Sequence, residues 1–353
     1  MSSAAPLSQF LTSMKQVYGP LPSPSASSSG TPWRPPEKSG GHRGRYLWTD
    51  AFGVVNFLTL YRETGEERYL DCARSLVATV HDVLGRTRDG RSRLPRATEA
   101  EPLAGGLRIG KTEEHGRDGD GQYHHYLTLW MFALNRMTLA TGDPTFNNSA
   151  ISLARAIHPN FFVNRDTSSP RMVWKISMDM SRALVHSEGN LDPIDGYVVF
   201  KTLAAASGQP DTLKEEIEDY AKVMQRKGEH FASEDMLDLG MSSWTSHWLR
   251  GKEDWATVLA KRCTRQLKEM FQSGYNDMPA RYRLAFREYG ACLGIQCLEP
   301  DEYLLRKKDE VIAFWEKYRE THDDLRPITE VMRAAALIPG AFRSGYFGKE
   351  PGI

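Results

Sequence analysis

The feature that most constrains this chain is a turn that recurs along it. An apolar helical run ends in a short Gly- or Pro-containing turn with an acidic or amide residue, and an amphipathic helical run follows. The turn reads Thr64-Gly65-Glu66-Glu67-Arg68-Tyr69-Leu70, Thr141-Gly142-Asp143-Pro144-Thr145-Phe146 and Ser207-Gly208-Gln209-Pro210-Asp211-Thr212-Leu213. Looser copies are Gly251-Lys252-Glu253-Asp254-Trp255 and Pro300-Asp301-Glu302-Tyr303-Leu304. Glycine takes the left-handed conformation that closes one helix, and the polar residue after it caps the next. Copies spaced by roughly 45 to 75 residues predict helical hairpins that bury their apolar faces against one another, stacked or closed into a ring.

Alternate helices differ in character. Those before each turn are apolar, aromatic and small nearly all round (Leu127 to Met137, Tyr197 to Ala206, Tyr289 to Leu298), whereas those after it are charged on one face (Lys214 to Arg226, Lys261 to Glu269, Arg306 to Glu320). An inner and an outer ring follow. The simplest closed form is an all-α fold, an (α/α)6 barrel of about eleven long helices with little sheet. Its expected span is residues 45–345, with 346–353 as a tail. Residues 1–44 read as an N-terminal arm, with a helical piece around Leu7 to Tyr18 and then a Pro/Ser-rich stretch from Pro20 to Gly30 that is mobile or draped over the body. Residues 86–119 and 159–187 lack periodicity; the first is a long loop of the kind that is functional or disordered, and its segment 105–112 is expected to be a flexible loop over the barrel mouth.

The 45 Lys and Arg residues balance the 45 Asp and Glu, which speaks against a nucleic-acid binder. No run approaches the ~20 apolar residues of a membrane span, and the first residues lack a signal-peptide pattern, so a cytoplasmic location is expected. Cys72, Cys263, Cys292 and Cys297 have no metal-site spacing and read as buried thiols. No two histidines stand four apart, and neither a metal nor another cofactor is expected. Gly105-Gly106-Leu107-Arg108-Ile109-Gly110-Lys111-Thr112 satisfies the phosphate-loop pattern, but neither a buried strand before it nor a helix after it is legible. Asp118-Gly119-Asp120-Gly121 lacks the glutamate that a calcium loop needs at its twelfth position, where Leu129 stands.

In a ring of hairpins the residues at the starts of the inner helices converge on one mouth. They include Trp48, Asp50, Asp118, Asp120, Gln122, His124, His125, Trp174, Lys175, His186, Glu188, Asp192, Asp195, Trp244, His247 and Arg287. Aromatic faces among carboxylates and amides suit sugar rings, and glycoside cleavage needs one protonated and one ionised carboxyl. Structural roles compete with each assignment. Asp118, Asp120 and Asp192 stand where helix caps stand, Asp50 can answer Arg45, and adjacent His124 and His125 cannot both face the mouth.

The turns at Thr64 and Thr141, Trp48-Thr49-Asp50 opening the first inner helix, and Asp118-Gly119-Asp120-Gly121-Gln122-Tyr123 opening the second together resemble the six-hairpin glycosidase superfamily over residues 45 to 340. The resemblance implies a hydrolase acting on a small carbohydrate or glycoside, an unsaturated uronide among the substrates it admits. The paired aspartates of unsaturated glucuronyl hydrolases would fall on Asp50 and Asp120. The expected roles are Asp120 as general acid, Glu188 or Asp50 as base or nucleophile, Trp48, Trp174 and Trp244 as stacking platforms, and Arg108, Lys111, Lys175 and Arg287 as partners for a substrate carboxylate. N-acylglucosamine epimerase-like barrels imply instead a histidine pair, His124 or His125 with His186 or His247. A lyase or cyclase of secondary metabolism, and a non-catalytic toroid binding a small molecule or partner, are the remaining alternatives.

Overall fold

The computed structural model describes residues 4–23, 33–116, 118–227, 231–318 and 325–352. Among them are twelve α-helices: α1 (Ala4–Tyr18), α2 (Leu47–Thr64), α3 (Glu67–Leu84), α4 (His124–Thr141), α5 (Thr145–Phe161), α6 (Asp192–Ser207), α7 (Lys214–Lys227), α8 (Met236–Ser246), α9 (Asp254–Gln272), α10 (Ala285–Ile295), α11 (Glu302–Lys317) and α12 (Arg326–Leu337). Around the ring α2 packs on α4, α4 on α6, α6 on α8, α8 on α10, α10 on α12 and α12 back on α2, so the circle closes. Five inner helices are backed by the helix that follows them in the chain, and α12 by α1. The result is an (α/α)6 barrel.

The two rings differ as their sequences do. Every residue of α2 from Leu47 to Leu60 is buried, whereas α3 buries one stripe (Tyr69, Cys72, Ala73, Leu76, Val80). Gly65, Gly142 and Gly208 end α2, α4 and α6 at φ of 70°, 73° and 67°. The hydroxyl before each glycine fastens the turn. Thr64 donates to Leu60 O and accepts from Glu66 N, Thr141 donates to Met137 O and accepts from Asp143 N, and Ser207 does the same with Ala204 O and Gln209 N. Capping by the following acidic residue is less general. Asp301 accepts from Leu304 N, while Glu66 and Glu253 occupy the cap position without a side-chain bond.

The helical piece expected around Leu7 to Tyr18 is α1, and it takes the sixth outer place. Phe10, Met14, Val17 and Tyr18 are buried, and Ser13 donates to Glu330 Oε2 (2.5 Å) while accepting from Arg333 Nη1 (2.7 Å), both on α12. Of the Pro/Ser-rich stretch, residues 24–32 lie outside the described residues. Trp33 to Arg45 lies over the body, with the Trp33 carbonyl accepting from Ser75 Oγ at 2.7 Å.

Among the described residues, sheet is limited to two two-residue pairs, β1 (Gln122–Tyr123) antiparallel to β4 (Lys175–Ile176) and β2 (Phe162–Val163) antiparallel to β3 (Arg171–Met172), with isolated bridges Arg86–Arg93 and Ile176–Ala183. The phosphate-loop look-alike lies in a buried extended stretch: Leu103, Leu107, Arg108 and Ile109 are buried and Ile109 N donates to Gly121 O at 2.7 Å. No helix follows it before His124. The expectation of a flexible loop over the mouth is therefore corrected for this part, which is core. All four cysteines are buried and unpaired, and no helix among the described residues is long and apolar enough to cross a membrane.

Candidate active site

The starts of all six inner helices line one cavity of about 490 Å³. It is walled by Tyr46, Trp48 and Thr49 at the start of α2, Tyr123, His125 and Tyr126 at α4, Leu191 at α6, Leu237 and Asp238 at α8, Phe286 and Arg287 at α10, and Leu325 and Ile328 at α12, with Lys111 from the long loop. Six helix N-termini give this cup a positive bias, because their first amides lack intrahelical partners and the peptide dipoles add.

Its wall is largely aromatic. Tyr123 stacks on Tyr126 (centroids 4.5 Å apart), Tyr126 packs on Trp48 (5.2 Å), and Trp48 tilts over the His125 imidazole (4.6 Å). The Trp48 indole N–H is turned to Met332 Sδ, 3.4 Å away. The hydroxyls of Tyr46 and Tyr126 are 2.9 Å apart. Above the Tyr46 ring stands the Lys111 ammonium, 5.8 Å from the centroid.

His125 is the most specifically held polar side chain of the cup. Its Nδ1 is hydrogen-bonded to Asp195 Oδ2, and the other carboxylate oxygen accepts from Thr245 Oγ1 at 2.8 Å. Both residues come from neighbouring inner helices, α6 and α8. A carboxylate at Nδ1 selects the tautomer whose Nε2 carries the lone pair, and that Nε2 is buried with no hydrogen-bond partner among the described residues. Burial works against the imidazolium, but the attached Asp195 carboxylate, with Asp192 and Asp238 nearby, outweighs it and raises the pKa above the ordinary value. The hydroxyl–carboxylate–imidazole chain is arranged to accept a proton and to stabilise the cation that forms.

Of the residues singled out from sequence, Trp48, Lys111, His125 and Arg287 line the cup. Arg287 also pairs with Asp235, which caps α8 by accepting from Leu237 N and Asp238 N. Several others have structural work. Asp120, expected as the general acid, accepts five bonds: from Arg108 Nη1 (2.7 Å), Arg88 Nη1 (2.8 Å), Gly110 N, Lys111 N and Gly121 N. Both oxygens of this carboxylate are committed to structural bonds, and it borders a different cavity, of about 550 Å³, beside Arg88, Ser177 and Asp179. Arg108 is consumed in the same clamp and in bonds to Arg86 O and Val83 O.

Asp50 faces away from the cup, toward the outer layer. It accepts from Ser39 Oγ (2.5 Å) and Tyr18 OH (3.1 Å) and lies 3.6 Å from Arg45, and burial raises its pKa against these partners. Glu188 accepts from Met172 N at 3.4 Å on the irregular stretch before α6, outside the cup. Asp118 and His186 are exposed. Gln122 ties two loops by donating to Gly105 O and Met178 O, both at 2.8 Å. Asp192 accepts from His125 N (3.1 Å), and so caps α4. Lys175 donates to Gly119 O (2.6 Å). Trp174 packs on Tyr123, 5.1 Å between centroids, and donates to Ser187 Oγ.

The histidine pairings are not assembled. His124 turns outward, its Nε2 2.6 Å from the Tyr220 hydroxyl on α7. His247 and Trp244 belong to the far end of the ring. Trp244 Nε1 donates to Phe342 O (2.8 Å), and His247 bonds Trp244 O through Nδ1 and accepts from Ser344 N at Nε2 (3.0 Å). Trp244 is thus a core residue and not a stacking platform. Sequence reading placed Asp195 among the mouth residues without a role, and it missed Tyr46, Tyr126, Asp238 and Thr245. The i, i+3 offset from Asp192 to Asp195 carried a signal: two acids on one face of an otherwise apolar inner helix need a partner.

No protein-family model matches the chain, and no curated protein matches it in sequence. Solved structures do match in shape. A family 76 glycoside hydrolase from a bovine Bacteroides thetaiotaomicron strain superposes with TM-score 0.55 at 12% identity, over 94% of this chain and 76% of that one. The family 76 mannosidase Bt3792 from Bacteroides thetaiotaomicron VPI-5482 gives 0.54 at 12%, over 95% and 98%. A D-mannose isomerase gives 0.53 at 11%, over 89% and 87%. What the chain shares with these structures is the fold, an (α/α)6 barrel.

Proposed function

We propose that this chain is a carbohydrate-acting enzyme that moves a proton on carbon, an isomerase of an opened sugar with His125 as its base. The observation that carries the reading is the Thr245–Asp195–His125 chain ending in an unpartnered Nε2 at the wall of an aromatic cup. A carboxylate pair for hydrolysis is not what the cup presents, since Asp120, Asp50 and Glu188 all lie outside its lining. A single base favours aldose–ketose interconversion, in which one group carries the proton between adjacent carbons on one face. Epimerisation needs a donor on the opposite face, and His124, His186 and His247 are elsewhere. The fold is compatible, because a D-mannose isomerase shares it.

One observation favours a second reading, hydrolysis of a small glycoside: the Asp238 carboxylate lines the same cup, bonded to Asn190 Nδ2 and Ser233 Oγ (both 3.0 Å). Proton NMR in D2O with reducing sugars and aryl glycosides separates the two. Deuterium entering at the carbon next to the carbonyl, lost in His125→Gln, supports the isomerase. Glycoside cleavage that survives His125→Gln and disappears in Asp238→Asn overturns it.

A further inference from the structure

We propose that Tyr126 is the electrophilic partner of His125: its phenol donates to the carbonyl oxygen of an α-hydroxy aldehyde or ketone, with Tyr46 as the residue that positions it. The inference rests on the isomerase reading of the cup. It starts from a count of hydroxyl protons. Tyr46 and Tyr126 have two O–H groups and share one hydrogen bond, 2.9 Å long, so whichever hydroxyl accepts keeps a proton with no protein acceptor. Both rings line the cavity, and neither hydroxyl has another partner among the described residues. Among the described residues the cup thus sets a buried acceptor without a partner, His125 Nε2, beside a hydroxyl proton of the Tyr46–Tyr126 pair; Thr49 Oγ1, also buried without a partner, and the Lys111 ammonium line the same wall.

Tyr126 is the better candidate for the free donor. It follows His125 on α4, its ring centroid is 6.3 Å from the imidazole, and it is held between Tyr123 and Trp48, whereas Tyr46 lies on the segment before α2 beneath Lys111. A phenol that accepts a hydrogen bond becomes a stronger donor through its own O–H. Burial raises the pKa of both phenols, and so keeps them protonated as donors.

The step balances without an outside oxidant or reductant. His125 Nε2 takes the proton from the hydroxyl-bearing carbon. The C–H electron pair becomes the C=C bond of an enediol, and the carbonyl π pair moves to its oxygen, which takes the Tyr126 proton. Then the neighbouring hydroxyl returns a proton to Tyr126 as its oxygen becomes the new carbonyl, and His125 delivers its proton to the former carbonyl carbon. One carbon is reduced and its neighbour oxidised. Donors already in place where the oxyanion forms lower the barrier, and the six helix N-termini favour the same charge.

The test is calorimetric titration with D-arabinonohydroxamate, a planar enediolate mimic, and D-mannitol, which has no oxyanion, on wild type, Tyr126→Phe, Tyr46→Phe and His125→Gln. Wild type should prefer the hydroxamate by ~10²-fold or more, as expected for a mimic of the reacting state. Tyr126→Phe should cut hydroxamate affinity by ~10²-fold and leave mannitol within about threefold, the mark of an interaction made only with the developing charge. Tyr46→Phe keeps the Tyr126 proton and should fall between. Thermal melting of each variant reports whether the fold is retained. A Tyr126→Phe protein that keeps the hydroxamate preference while His125→Gln loses proton exchange overturns the inference and spares the isomerase reading. A wild type with no preference, or exchange that survives His125→Gln, overturns both.

Discussion

The two ends of this ring are made by the same six helices and have opposite characters. At the N-terminal ends lies the cup, aromatic and polar, with hydrogen-bonding groups left over. At the C-terminal ends lies a plug. Phe342 sits among Phe52, Phe132 and Trp244, with centroids 4.8, 6.1 and 5.9 Å away, and Ala341 N donates to Thr59 Oγ1. The nearby Gly340 has φ of 45°, and a Cβ there would lie 2.2 Å from the Thr59 side chain. Arg136 is fully buried there, yet Glu350 takes its guanidinium in two bonds of 2.8 and 3.0 Å, Asn135 takes a third, and the Trp248 ring lies 4.6 Å away.

A histidine at each end makes the contrast concrete. His247, at the plug, has both ring nitrogens bonded to backbone, and burial pulls its pKa down to about 3, so it stays neutral. His125, at the cup, has a carboxylate on one nitrogen and nothing on the other, and its pKa is raised. Both are buried. What separates them is the charge of the partner and whether the hydrogen-bonding capacity is spent, which is the physical difference between a group that holds a fold and one available to act on a ligand.

This comparison can be broken in four places. Arg136→Ala leaves Glu350 buried without its partner and should cost about 3–5 kcal/mol; urea unfolding measures it, and the pH dependence of any activity should not move. His125→Gln should lower activity by ~10²–10⁴-fold with little change in melting temperature, and a stability loss like that of Arg136→Ala would place His125 with the plug. Asp195→Asn removes the charge that raises the His125 pKa. A base works when neutral, so the acid limb of kcat/KM, set by that raised pKa in wild type, should move to lower pH, as a pH–rate profile would show. The smallest effect lies at the rim of the plug end: Gly65→Ala, at φ 70° but with nothing within 4 Å of the new Cβ, should cost about 1–2 kcal/mol by conformation alone.

The fold was legible because hairpin turns are local. Thr64-Gly65 and Thr141-Gly142 carry their own glycine and hydroxyl, and the all-round apolarity of α2 and α4 against the striped α3 announces which ring each helix joins. The convergence of inner-helix starts on one mouth follows from that ring, and Trp48, His125 and Arg287 line the cavity there. Asp120 was not, because the fate of a carboxylate depends on which arginines the loops bring to it, and Arg88 and Arg108 lie 32 and 12 residues away. Trp244 and His247 were assigned to the mouth, but α8 carries them to its C-terminal end, into the plug.

Sequence by itself determined the double ring, its polarity and the set of side chains from which a site could be drawn. Tertiary structure alone decided which of them share a cavity, since the direction of a side chain on a helix is set by packing against neighbours distant in the chain. The adjacent His124 and His125 show it: a single residue step along the helix sends the first outward to Tyr220 of the outer ring and the second inward to Asp195, at the wall of the cup.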